Sequence, residues 1–110
     1  MKTYKGMVIE QGLADPSMIK KLKVLSESIS PNSHWHLYMV KASEKEIEGI
    51  SRNLSAQKWY AHFWNGKDVI VAYKDKIMRF KHDKKETWKP VVDYGLSIGI
   101  PIEQLDFPID

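Results

Sequence analysis

Two apolar, β-prone runs flank Asn65-Gly66: Lys-Trp-Tyr-Ala-His-Phe-Trp before it and Val-Ile-Val-Ala-Tyr after Lys67-Asp68. Asn-Gly between such runs is the strongest short-range hairpin signal, because a type I′ turn needs positive φ at both central positions. A third run, Ile77-Met78-Arg79-Phe80, follows Lys74-Asp75-Lys76, so residues 58–80 predict a three-stranded antiparallel meander. Alternation sets Trp59, Ala61 and Phe63 on one face and Tyr60, His62 and Trp64 on the other. Both faces carry large side chains, so both are expected to be covered.

The rest of the chain supplies the layers. Residues Tyr4 to Gln11 predict a strand, and Asp15-Pro16 a helix start, with Met18, Ile19 and Leu22 as its apolar stripe. From Lys23 to Ile29 the period changes to two, which predicts a strand, with a continuous helix as the competing reading. Ser30-Pro31-Asn32-Ser33 is turn composition, and His34 to Ala42 predicts the second arm of a hairpin, with His36, Tyr38 and Val40 on one face. Ser43-Glu44-Lys45-Glu46 is a capping box opening a helix buried through Ile47, Ile50, Ser51 and Leu54. After the meander, Thr87 is expected to cap a last helix with Trp88, Val91, Val92 and Leu96 at helical spacing. Gly99 stops it. Gly49 and Gly95 are expected to allow close packing. The tail, with Ile100, Ile102, Leu105 and Phe107, is expected to dock along the body. The order predicts an α+β fold, a ferredoxin-like βαββαβ core with two extra antiparallel strands and a C-terminal helix.

At 110 residues the chain predicts one domain, residues 1–110, able to form a core without covalent staples. There is no cysteine, which excludes disulfides, thiolate chemistry and Cys-type zinc sites. No apolar run reaches membrane-spanning length and the start lacks a signal-peptide core, so the expected address is cytoplasmic, away from the membrane. The net charge is +3, from 17 basic and 14 acidic residues, and Arg52 and Arg79 are the only arginines. A lysine-rich, dispersed charge argues against a dedicated nucleic-acid binder without excluding one.

The segments Lys5-Gly6-Met7-Val8-Ile9-Glu10, Trp59-Tyr60-Ala61-His62-Phe63 and Asp93-Tyr94-Gly95-Leu96-Ser97-Ile98-Gly99-Ile100-Pro101, with Gln104-Leu105-Asp106-Phe107, resemble a group of small prokaryotic proteins with no known activity. The pieces fall in the same order from start to end. The resemblance implies a free-standing domain and assigns no catalytic residue and no cofactor.

Candidate site residues follow from chemistry. His34-x-His36 with His62 and Glu10 is a possible metal set. His36 or His62 beside Glu10 or Asp93, near Tyr38 and Tyr60, is a possible acid–base couple. Tyr38, Tyr60, Trp64 and Tyr73, with Arg79 and Lys67, are candidates to stack and pair with nucleic acid. No nucleophile elbow, phosphate loop or dinucleotide fingerprint is present. The expected function is a binding or assembly module that self-associates as a homodimer, with Glu10, His36, Tyr38, Tyr60, His62, Trp64 and Arg79 as the ligand or interface face and a small-molecule ligand of unknown identity. The alternative is a small metal- or histidine-dependent enzyme.

Overall fold

The central hairpin forms one residue later than the Asn-Gly pair predicts. Strands β4 (Tyr60–Asn65) and β5 (Asp68–Tyr73) are joined by Gly66-Lys67. Gly66 has φ +60°, and His34, Asp75 and Phe107 are the only non-glycine residues with positive φ among those described. Asn65 therefore stays in the strand, and glycine takes the first central position, the arrangement of a type II′ turn. A second two-residue loop, Lys74-Asp75, leads into β6 (Lys76–Lys81), with Asp75 at φ +58°.

The computed structural model describes residues 2–31, 34–107 and 109. The chain is a mixed α/β domain around one six-stranded antiparallel sheet of order β2-β3-β1-β4-β5-β6. Here β1 is Thr3–Ile9, β2 Lys23–Ile29 and β3 His36–Ser43. Central β1 pairs β3 on one side (Val8 opposite Tyr38) and β4 on the other (Gly6 opposite Phe63). As expected, β5 and β6 extend the sheet beyond β4.

Two layers cover it. Helix α1 (Glu44–Arg52) opens on the predicted capping box: Glu46 N donates to Ser43 Oγ (3.2 Å), and Ser43 N donates to the Glu46 carboxylate (2.9 Å). It buries Ile47 and Ile50 with Tyr4, Val8, Val40, Ala42, Phe63, Ile70 and Ala72, defining the α1 face of the sheet. Helix α2 (Lys89–Ser97) and the segment after it bury Val91, Ile100, Leu105 and Phe107 against Trp64, Val69, Val71, Tyr73 and Phe80, defining the α2 face. The tail docks as expected. Full burial of one such aliphatic or aromatic side chain stabilises by about 1.5–3 kcal/mol.

Several local expectations are corrected. Residues Pro16–Lys21 form a 3-10 segment rather than an α-helix, capped as predicted by Asp15, whose carboxylate accepts from Ser17 N at 3.1 Å. Buried Ile19 and the buried residue that follows the segment, Leu22, are three apart, the spacing of a three-residue turn. β1 stops at Ile9 and Glu10–Gly12 turn away as a second 3-10 segment. β2 is a strand whose residues are all solvent-accessible, and a bulge between Val24 and Ser26 breaks its period of two. β3 starts at His36, because His34 at φ +59° breaks the extended run; Asn32 and Ser33 of the predicted turn lie outside the described residues.

Thr87 does not cap α2. Its hydroxyl accepts from Lys81 N (2.9 Å) and donates to Lys84 O (2.6 Å), closing the loop from β6, and Pro90 sits in the first turn of α2. Leu96 is exposed, and Gly95 takes the buried position in its place. A β-carbon at Gly95 would stand 2.8 Å from the Tyr73 hydroxyl, whereas one at Gly49 would meet nothing closer than Met18 Cε at 3.8 Å. Of these two helical glycines, only Gly95 is required by packing.

Candidate binding surface

Strand register divides the predicted site residues between the two faces. His36 and Tyr38 lie on the α1 face with Val40 and Val8, and Arg79 lies there opposite Ile70. Tyr60, His62 and Trp64 lie on the α2 face, His62 beside Met7 and Trp64 beside Lys5. His36 and His62 are therefore not on one sheet face, and the proposed His36–His62 site does not assemble. His34 is outside the strand and does not share a face with His36 through alternation. Among the described residues no group of three His, Asp or Glu side chains converges as a metal site.

His36 does gather part of its expected company. Its Nε2 lies 3.0 Å from Glu27 Oε1, its Nδ1 is 4.0 Å from Glu10 Oε2, and its ring stacks on Tyr38 at 4.4 Å. Tyr38 OH donates to Glu10 Oε1 at 3.4 Å, and desolvation followed by the charges of Glu10 and Glu27 raises its pKa. The network straps edge strand β2 to β3. The side chains of His36, Glu10 and Glu27 keep 32%, 38% and 57% exposure, and ion pairs so wet contribute about 0–1 kcal/mol. Glu27, which sequence reasoning omitted, is its closest acid. Arg79 pairs with Glu44 at 2.6 Å on the exposed α1 side, and Asp93 pairs with Lys89 at 2.9 Å on α2, so neither joins a histidine.

On the α2 face, the aromatics expected to stack on bases are largely used in packing. Tyr73 and Trp64 are buried. Tyr73 OH donates to Val91 O at 2.8 Å, and burial raises its pKa strongly. Tyr60 donates to Gln104 O, and burial, then the charge of Asp106, pushes its pKa up to about 12. His62 sits between the rings of Trp64 (5.2 Å) and Phe107 (5.7 Å).

Where α2 and the tail stop, a cavity of about 520 Å³ opens on this face. Its walls come from Met7 and Ile9 of β1, Trp35, the stretch from Lys58 to His62, and Gly99, Ile100, Pro101 and Gln104 of the turn after α2. Trp35 and Trp59 meet edge to face at 5.1 Å, and Trp59 is braced against Gly12. The volume falls in the range of small-molecule sites. Alternation places Met7 and Ile9 on this face, but nothing in the local pattern brings the 99–104 turn over them. Beyond the cavity, Lys23, Lys41, Lys5 and Trp64 form one cross-strand row. The one carboxylate of β1–β4, Glu27, lies beside Tyr38 on the other face: this side carries Lys23, Ser26, Ser28, Leu37, Met39, Lys41, Ser43, Thr3, Lys5, Met7, Ile9, Tyr60, His62 and Trp64.

No family model, no curated protein and no solved structure matches the chain.

Proposed function

We propose that the protein is a binding and assembly module that works as a homodimer, joined through the outer edge of β2, with the α2-face cavity as its ligand site. One observation carries the assembly half. Of the large apolar residues left exposed among those described, Val24 (36%), Leu25 (44%), Ile29 (64%) and Trp35 (37%) cluster on β2 and at the start of its partner strand. β2 is also a terminal strand, so one side of its backbone has no strand partner within the described chain. An apolar strand with an open edge is a template for pairing with another strand. Antiparallel pairing of β2 with its own copy about a two-fold axis is the isologous solution. It joins two sheets edge to edge and leaves both faces accessible.

The strand order β2-β3-β1-β4, with α1 crossing from β3 to β4, supports a ferredoxin-like reading of the first half, in which the 3-10 segment replaces the first helix. A free-standing module akin to small prokaryotic proteins of no known activity, acting in the cytoplasm, belongs to the same reading. Among the described residues no helix is long and apolar enough to cross a membrane.

The test is solution mass at low and high salt. The wild type is expected at twice 12.8 kDa in both, and Leu25→Lys or Ile29→Lys at 12.8 kDa with an unchanged circular dichroism spectrum. A wild-type monomer at about 100 μM, well above the Kd of an ordinary specific complex, rejects the assembly half.

A further inference from the structure

We infer that the cavity beside Trp35 and Trp59 takes a small aromatic carboxylate, its ring against the two indoles and its anionic group at Lys58. The inference rests on the cavity being the ligand site, and names the class of ligand.

The argument begins with the walls. Trp35, Trp59, Met7, Ile9, Ile100 and Pro101 present apolar and aromatic surface. Two indoles meeting at 64° form a corner, which offers a flat ring one face and one edge, the two geometries in which aromatic rings associate favourably. Thioether sulfur from Met7 adds a soft, polarisable contact.

Charge then selects among apolar ligands. Lys58 is the one Lys, Arg, Asp or Glu side chain in the lining. It is exposed, and among the described residues no carboxylate lies within ion-pair distance of it. The polar remainder of the lining comes from His62, Tyr60 and Gln104, and Asp106, whose charge reaches the Tyr60 hydroxyl, lies outside the lining. The same sheet face carries Lys23, Lys41 and Lys5 in one row and no carboxylate from β1–β4. Like charges arranged on one surface sum into a field that concentrates counter-ions. A neutral aromatic ligand would gain only the walls, and a cationic one would meet Lys58. A carboxylate gains both the walls and the lysine. A single-stranded nucleic acid would gain the lysine row, but Trp64 and Tyr73, the rings it would need along the strand, are buried.

The experiment titrates the native protein with 2-naphthoate and with its neutral counterpart 2-naphthalenemethanol, following tryptophan fluorescence and isothermal titration heat. Naphthoate is expected to bind at least about tenfold more tightly, a difference of about 1.4 kcal/mol. Lys58→Gln, an exposed change that leaves the fold intact by circular dichroism, is expected to reduce naphthoate to the affinity of the alcohol while leaving the alcohol unchanged. Trp35→Ala is expected to weaken both. Equal binding of the two probes to the wild type, or no effect of Lys58→Gln, overturns the carboxylate assignment and leaves the cavity as a ligand site. Binding of neither probe overturns the cavity as a site for aromatic ligands, while the dimer is judged separately by mass. Displacement of naphthoate by oligothymidylate, lost steeply with salt, overturns the assignment in favour of a nucleic-acid surface.

Discussion

The ring of Phe63 lies where a β-carbon on Gly6 would stand. The two residues face each other across β1 and β4, and such a carbon would be 2.1 Å from Phe63 Cδ2 and 2.7 Å from His62 O. Glycine is thus what lets a fully buried aromatic side chain lie flat across the central strand. Gly6→Ala is expected to cost about 3 kcal/mol, the upper range for overpacking, because the ring and the backbone oxygen must both shift. Urea denaturation measures it, and Phe63→Leu in the Gly6→Ala background should cost less than the sum of the two single changes. An unchanged midpoint for Gly6→Ala would contradict the placement of the ring.

Ser51 ties α1 to the β5–β6 turn. It is 2% exposed; its hydroxyl donates to Tyr73 O and accepts from Lys76 N at 3.1 Å. Ser51→Ala leaves these backbone groups short of a partner and is expected to destabilise by about 1–3 kcal/mol. Amide exchange at Lys76 should speed up more than exchange in β1.

Asp68 makes the fold acid-sensitive over a defined window. Hydrogen bonds from Lys2 and Lys81 hold its pKa at about 2, below the ordinary 3.8. The folded pKa is depressed, so the stabilisation is present above the unfolded value and is lost as pH falls through the folded one. Wild type is therefore expected to exceed Asp68→Asn in stability near neutral pH, with the gap closing between about pH 4 and pH 2. Thermal melts of both proteins across that range decide it, and a gap that persists below about pH 2 counts against the two lysine contacts.

Tyr60 has the opposite sign. Its folded pKa is raised from 10.0 to about 12, so the half-buried phenol stabilises the fold below the unfolded pKa. That contribution declines as pH rises through the interval between the two values, because the unfolded chain gives up its proton first. Tyr60→Phe is expected to lose less stability than wild type on going from about pH 10 to about pH 12. Tyrosinate absorbance of folded Tyr60→Phe should match wild type until the upper end of that range; an earlier divergence would mean that the phenol is open to solvent.

Local rules carried the chain as far as its elements. The central meander, the capping box at Ser43 and Glu46, the Asp15 cap and the strand character of Lys23–Ile29 all depend on neighbours a few residues apart, and each forms. The docked tail was legible because its apolar residues recur in a stretch too short to bury them alone. What the sequence by itself determined was therefore where the strands and the two α-helices fall, though not the 3-10 form of Pro16–Lys21, and which side chains alternate on β1, β3 and β4, though not on β2, where a bulge between Val24 and Ser26 breaks the period. Tertiary structure decided which face of one strand joins which face of another. Strand register set His36 and His62 on opposite faces, because face identity passes from strand to strand only through pairings such as Met7 with His62 and Val8 with Tyr38. It also decided that the turn from Gly99 to Gln104 closes one wall of a cavity begun by Met7, Ile9 and Trp59. That wall is a contact between segments some forty to ninety residues apart, and no local propensity encodes it.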